Sequence, residues 1–352
     1  MSAANVAYLP VVLVETKDLT EEEWLTWRRK GIGGSDAAAV LGISPFRTAR
    51  DLYYDKLNIA SVVEDEGNWV AMKMGHLLEN LVAEIFSRKT GFKVYQIKKM
   101  FQHPLYPYML ADVDYFIELP NGKTAILEIK TTNYNARNHW WKDGEEIVPE
   151  YYEAQGRHYM AVMNADEVYF CCLYGNNEDE VIIRRLKRDC TYESELIALE
   201  GYFWNDHVLA HVPPPYVEEG EVVAASLYRH TGPADPIADE VMLEGRIKDL
   251  FAEYLALQRE KEAVEDSIKP IDKEIKRLRA LVTAEMGKSC SASCNLDGTT
   301  YAITYNPVRK RGINKDDLLR LELQYPEIYQ EFVKVTEYRT FQVKQVKEAD
   351  AA

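Results

Sequence analysis

Cysteine is scarce in this chain, with five in 352 residues. The odd count offers no disulfide framework. With no basic leader at the start, it points to a reducing cytoplasm. Cys290 and Cys294, in "SCSASC", lack the second Cys or His pair that a four-ligand zinc site needs. Long apolar runs are also missing. The opening "VAYLPVVLV" is broken by Pro10, and nothing approaches the ~20 residues of a membrane-spanning helix. Positive charge is the third deficit: 42 Lys and Arg stand against 57 Asp and Glu, for a net charge of −15. That argues against a uniformly basic coat for nucleic acid, because phosphate contacts need local cations. A basic groove on an acidic body is still open to "WRRKG" at 27–31, "KTGFKVYQIKK" at 89–99 and "VRKRG" at 308–312.

What is present is an apolar fraction of 47%, that of a globular protein. Residues 21–60 read as helices around the glycine-rich "GIGGSD", with Ser35 as an N-cap and Gly42 as the stop. "MKMGHLLENLVAEIFSRKT" at 72–90 is an amphipathic helix, with Met74, Leu77, Leu78, Leu81, Val82, Ile85 and Phe86 at helical spacing and Gly91 ending it. Strands follow at "GFKVYQIKKMFQHP", "YMLADVDYFIEL" and "KTAILEIKTT", then a helix at "YYEAQGRHYMAVMN". Strands at "EVYFCCLYG" and "VIIRRLKRD" lead to a helix that ends near 212. This order predicts a mixed α/β domain over 1–212. The Pro-containing stretch 213–237 reads as a linker. Residues 238–288 read as a long charged helix with an apolar seam, interrupted or kinked at Pro270. A coiled coil and an internal helical hairpin both fit that seam. Residues 289–352 read as a small α+β region, with a strand pair over "GTTYAITYNPVRKRG" and a helix over "NKDDLLRLELQYPEIYQEFVKV".

The chemistry centres on the hairpin at 109–132. Leu119-Pro120-Asn121-Gly122 suits a type I turn followed by a left-handed glycine, which makes a three-residue loop. Residue 119 then pairs with 123, and Asp114 falls directly opposite Glu128. Opposed Cβ atoms lie about 4.5–5.5 Å apart. Period-two alternation adds Asp112 and Lys130 to the same face. A two-residue Asn-Gly loop would instead separate Asp114 from Glu128. Two facing carboxylates repel unless a cation sits between them, and hard oxygen ligands suit Mg²⁺ or Mn²⁺. The competing reading is an ordinary antiparallel strand with a solvated acidic face.

The set Asp114, Glu128-x-Lys130 resembles the PD-(D/E)xK nuclease superfamily. "RRKGIGGSDAAAVLGISPFRT", "MGHLLENLVAEIF", "YMLADVDYFI", "LEIKTT" and "YYEAQGRHYMAV" occur in the order seen in YqaJ-type viral recombinases, relatives of phage lambda exonuclease. The resemblance covers about residues 20–210. It implies a restriction-endonuclease-like core, a mixed sheet flanked by helices, with a C-terminal helical extension. It implies Mg²⁺ on Asp114, Glu128 and the Ile129 carbonyl, completed by Glu79. Lys130 then positions water, and Gln155 and Tyr159 fill a Gln-x-x-x-Tyr helix motif. Arg28 and Ser35 match positions near a terminal 5′-phosphate. Asp36 beside Ser35 would repel that phosphate unless turned away. Arg157, where relatives usually carry glutamine, is placed with the DNA-binding residues. Asp112 also departs from the family pattern, where asparagine is frequent. His76, His139 and His158 read as structural or surface residues.

The activity implied is a 5′→3′ exonuclease on linear double-stranded DNA in a bacterial cytoplasm, phage or prophage encoded. It would leave 3′ single strands for an annealing protein of the RecT, Red-beta or Erf kind, and the resemblance allows a trimeric ring around DNA. A restriction-type endonuclease shares the motif. So does a helicase- or CRISPR-linked nuclease, but those often carry an iron–sulfur cluster with one cysteine before the core, and here none precedes Cys171. A non-catalytic scaffold acting through 238–287 is the alternative from another class.

Overall fold

The computed structural model describes residues 8–63, 69–233, 235, 237–238, 240–309 and 312–334. Parts of the basic "VRKRG", of the opening apolar patch and of the C-terminal region lie outside them. Among the described residues no helix is long and apolar enough to cross a membrane. The chain forms two units, Met1–Pro233 and Ala234–Ala352.

The first unit runs β1 (Val11–Glu15), α1 (Glu21–Arg28), β2 (Ile32–Gly33), α2 (Gly34–Val40), α3 (Ala49–Lys56) and α4 (Trp69–Thr90). It continues with β3 (Lys93–Tyr95), β4 (Lys99–Gln102), β5 (Met109–Ala111), β6 (Tyr115–Glu118) and β7 (Thr124–Thr131). A small hairpin of β8 (Trp141–Lys142) and β9 (Glu145–Glu146) precedes α5 (Glu150–Met163). Then come β10 (Glu167–Leu173), β11 (Val181–Lys187), α6 (Cys190–Tyr202), which continues as a π-helical stretch to Leu209, and α7 (Gly220–Thr231).

The main sheet has the order β11-β10-β7-β6-β3. Only β7 and β10 run parallel in it. A parallel neighbour requires a crossover, and α5 supplies it. Both faces of the sheet are covered. On one, Ile126, Phe116 and Phe170 pack with Trp140 and with Met160 of α5. On the other, Leu127, Ile117 and Cys171 pack against Val82 and Phe86 of α4. This is the mixed α/β, restriction-endonuclease-like core. The half-solvated strand anticipated as an alternative is not what forms: β7 is central, and Glu128 is 2% exposed.

A second sheet, β1-β4-β5-β2, draws its strands from the same stretches. "GFKVYQIKKMFQHP" and "YMLADVDYFIEL" each read as one strand, but each divides between the two sheets. The second breaks at Asp112–Asp114, so the acids sit where the chain crosses over. Helix α4 ends at Gly91, whose φ of 72° is the left-handed stop expected of glycine. Only the C-terminal half of its apolar stripe is buried, for Met74, Leu77 and Leu81 remain exposed.

The supposed linker also differs. Helix α7 lies within 213–237 and docks onto α3 through polar groups. The Ser226 hydroxyl donates to Asp51 at 2.9 Å, and Arg229 and His230 reach the same carboxylate at 2.7 and 2.9 Å. Burial works against ionisation of Asp51, yet these partners and the Thr48 cap hold its pKa at about 2. Prolines 213–215 before this helix and Pro233 and Pro236 after it are what make the stretch read as a linker.

The second unit opens with α8 (Arg246–Met286), one continuous helix with Pro270 inside it, shorter than the 238–288 expected. The hairpin that follows is β12 (Ser291–Leu296) with β13 (Thr299–Thr304), so it starts earlier than expected. The last predicted helix divides into α9 (Lys315–Gln324) and α10 (Pro326–Phe332) at Pro326, whose ring suits a helix start.

Candidate active site

The hairpin register is as the loop chemistry predicts. The Leu119 N–H donates to the Lys123 carbonyl and the Gly122 N–H to the Leu119 carbonyl, both at 2.9 Å. Gly122 sits at φ 76°, a left-handed conformation that favours glycine. Tyr115 pairs with Leu127 and Glu118 with Thr124, which puts Asp114, one residue before β6, opposite Glu128. Asp114 has left the ladder. Its carboxylate takes the Ile129 N–H at 2.8 Å, where a strand partner would otherwise accept.

Glu128 points to the α5 face. Its Oε1 accepts from Lys130 Nζ at 2.8 Å and from the Gln155 side-chain amide. Lys130 also donates to Gln155 Oε1 at 3.0 Å and lies over the Tyr152 ring, 4.8 Å from its centroid. The other carboxylate oxygen, Oε2, is buried and has no hydrogen-bond partner. Such an oxygen costs on the order of 1–3 kcal/mol unless something satisfies it.

Electrostatics point the same way. Burial, and then the nearby Asp114 charge, push the Glu128 carboxyl up to about 8. Asp114 is raised chiefly by burial, and Glu79 by burial and then by Asp114. Burial opposes the Lys130 charge, but Glu128 and Asp114 outweigh it and keep the ammonium protonated. Three acids therefore crowd one side of a cleft with one lysine between two of them. A cation held by Asp114 and Glu128 would pair with the orphaned oxygen and relieve the repulsion. Among the described residues no group of three or more His, Cys, Asp and Glu side chains is gathered closely enough to hold a metal ion.

The cleft, about 380 Å³, is lined by Arg28, Ser35, Glu79, Asp114, Glu128, Gln155 and Tyr159 together. Seven residues drawn from α1, α2, α4, the β5–β6 crossover, β7 and α5 thus meet in one place. Glu79 accepts from Gln96 at 3.2 Å. Tyr159 packs against Gly34 so closely that a Cβ there would lie 2.5 Å from its ring. His76 lines the cleft as well and is exposed, as a surface residue would be. His158 is structural: its ring bridges Glu200 and the Leu110 carbonyl.

Arg28 brings a cation to the same cleft, held by a buried cluster that spacing did not reveal. Asp36 is fully buried and turned inward. Arg28 reaches it at 2.8 Å, Lys56 at 2.7 Å and the Gly33 N–H at 2.9 Å, and Arg47 also binds it. Burial alone would raise the Asp36 pKa, but Arg28, Lys56 and Arg47 hold it well below the usual carboxylate range. Three cations on one anion leave positive charge over. Asp36 thus holds Arg28 and does not itself line the cleft. Ser35 accepts from Arg28. It is the second helical residue of α2, whose N-cap is Gly33, so the expected Ser35 cap is corrected. Its hydroxyl faces the cleft instead.

Two expectations need amending. Arg157 does not line the cleft. It pairs with Glu153 one turn back and lies over the Tyr192 ring, 4.6 Å from its centroid. The i, i+4 spacing of Glu153 and Arg157 was the available signal. Asp112 lies outside both strands, so strand alternation does not position it. The Trp24 indole N–H donates to it at 2.6 Å and turns it to the cleft wall.

Comparison with known proteins bears on this arrangement. Residues 23–166 match the model of a YqaJ-like viral recombinase domain. The uncharacterized protein YqaJ of Bacillus subtilis (strain 168) is 31% identical over 338 residues, 95% of this chain and 98% of that protein. Among solved structures, the alkaline exonuclease LHK-Exo of Laribacter hongkongensis aligns with a TM-score of 0.44 and 21% identity, over 54% of this chain and 94% of its own. A phage related exonuclease of Haemophilus somnus 129PT aligns with a TM-score of 0.38 and 11% identity, over 51% of this chain and 96% of its own.

Proposed function

Because the chain belongs to the YqaJ family, we propose that it is a Mg²⁺-dependent 5′→3′ exonuclease acting on linear double-stranded DNA. It leaves 3′ single strands that a single-strand annealing protein then takes up. The observation that carries this reading is the buried, unpartnered Glu128 Oε2 beside Asp114, in a cleft that Arg28 and Ser35 also line.

Asp114 and Glu128 would hold the metal, with Glu79 and the Ile129 carbonyl completing its shell. Bound there, Mg²⁺ polarises the scissile phosphate and lowers the pKa of the attacking water. Lys130 stays protonated and holds that water, while offsetting charge that builds on the phosphate oxygens. Gln155 bridges Glu128 and Lys130 and so keeps both rotamers in place. Tyr159 closes the α5 side and limits water. Arg28 and Ser35 take a terminal 5′-phosphate, which orients the duplex end and sets the polarity.

The test uses 5′-phosphorylated linear duplex and closed circular plasmid, with Mg²⁺ or with EDTA, beside Glu128→Ala. Mg²⁺-dependent nucleotide release from the linear substrate alone, lost in the variant, is expected. End-labelling each strand reads the polarity. Cutting of the circle would make the enzyme an endonuclease. Digestion that persists in Glu128→Ala would remove the site from the mechanism.

A further inference from the structure

Helix α8 has 41 residues and not one of them is buried. A solvated helix of that length normally gains its stability by packing an amphipathic face. Its apolar positions are not scattered. From Ile247 to Val282 they alternate at spacings of three and four, with Lys261 the one interruption: 247, 250, 254, 257, 261, 264, 268, 271, 275, 278, 282. That is five heptads in one phase. Ile247, Ile268, Ile275 and Val282 fall at position a, and Leu250, Leu257 and Leu278 at position d. All seven are between 43% and 58% exposed.

From this phase we infer that α8 pairs with α8 of a second copy of the chain, as a parallel two-stranded coiled coil. The internal hairpin that would have covered the seam does not form, because the helix runs unbroken through Pro270. Pro270 falls at position c, on the outer face, so it leaves the seam intact. A seam repeating every 3.5 residues is complementary to itself, since each knob finds an equivalent hole on the same helix. Four of the six a positions are β-branched and three of the five d positions are leucine, and β-branched residues at a with leucine at d favour two parallel strands.

Charge supports the same pairing. Lys261 is the one charged residue among these positions, and a single lysine at a sets register and strand number. In parallel register, Glu260 at g and Glu265 at e of both chains surround the two Lys261 ammonium groups. Within one helix Lys261 already reaches Glu265 at 3.7 Å. Glu274 at g meets Arg279 at e of the other helix. Eleven seam positions, each losing ~80 Å², give roughly 1,800 Å² for the pair, within the range of about 1,200–2,000 Å² for stable complexes. The inference does not depend on the nuclease reading.

The experiment uses the full chain with Cys190, Cys290 and Cys294 replaced by serine. Sedimentation equilibrium at micromolar concentration should give a dimer. Ile268→Glu with Ile275→Glu should lower the mass to that of one chain, while Lys273→Glu, on the outer face, should leave it unchanged. Ile275→Cys should form a covalent dimer under mild copper–phenanthroline oxidation, and Lys273→Cys should not. Circular dichroism checks that the seam variants keep their fold elsewhere. A monomeric parent, a three-chain mass, a mass unmoved by the seam variants, or no crosslink through Ile275→Cys would each overturn the parallel dimer.

Discussion

Replacing Asp36 by asparagine tests whether the cluster of Arg28, Arg47 and Lys56 is organised by one buried charge. Asp36 and the Lys56 side chain are both fully inaccessible, while Arg28 and Arg47 keep about a quarter of their surface in solvent. Asparagine preserves the shape and one acceptor but removes the charge. The arginines can then turn toward water; Lys56 cannot. Its remaining acceptor is the Arg28 carbonyl at 3.2 Å. Removing one partner of a buried ion pair costs about 3–5 kcal/mol, because the other charge stays desolvated. For a unit of this size that is about 6–20 °C in melting temperature. All six tryptophans precede residue 234, so their fluorescence follows the first unit without interference from the second. Urea titration should show Asp36→Asn destabilised by that amount. Adding Lys56→Met should recover stability, because the stranded ammonium is gone. A loss under about 1 kcal/mol for Asp36→Asn, or a double variant that is simply additive, would refute the reasoning.

Three further outcomes follow from the same geometry. Glu128 binds its proton more tightly folded than unfolded, so metal-free stability should fall as pH rises from about 4.3 to about 8. Glu128→Gln should flatten that slope in EDTA while abolishing cleavage, as urea titrations at stepped pH would show. His103 behaves oppositely: its Nδ1 accepts from the Leu105 and Tyr106 N–H groups, so the ring must stay neutral, and burial lowers its pKa to about 4. Its contribution is full above pH 6.5 and lost as pH falls toward 4, and His103→Gln should remove that acid-limb dependence. Gly34→Ala would drive a methyl into the Tyr159 ring; a cost of about 1–3 kcal/mol and a lower turnover number are expected from melting and steady-state assays.

The hairpin was legible because turn chemistry is local. Pro120, Asn121 and Gly122 alone set the register that brings Asp114 opposite Glu128. Burial of that face was not legible. Glu128 and Lys130 alternate with Leu127 and Ile129 just as a solvated edge would, and only the crossover helix α5 decides otherwise. The break at Asp112–Asp114 was also hidden, since Ala-Asp-Val-Asp keeps the alternation of a strand while the chain changes sheets. Asp36 read as a liability because Arg28, Arg47 and Lys56 come from separate segments, and no spacing rule connects them. Helix α7 was missed because the prolines on both sides of it made 213–237 read as a linker, although "EVVAASLY" is apolar enough for a helix. The seam of α8 was visible at once, but its continuity through Pro270 was not.

The crossover between the two sheets acts as a ruler. Ile32 is paired to Met109, so the backbone that leads into Ser35 is fastened to the backbone that leads, five residues later, to Asp114. On the reading proposed above, the step from the anchored end-phosphate to the bond that is cut is measured by main chain alone. Side-chain replacement along either wall can weaken the grip or slow the reaction. Moving the cut itself would take a residue added or removed between Ala111 and Asp114.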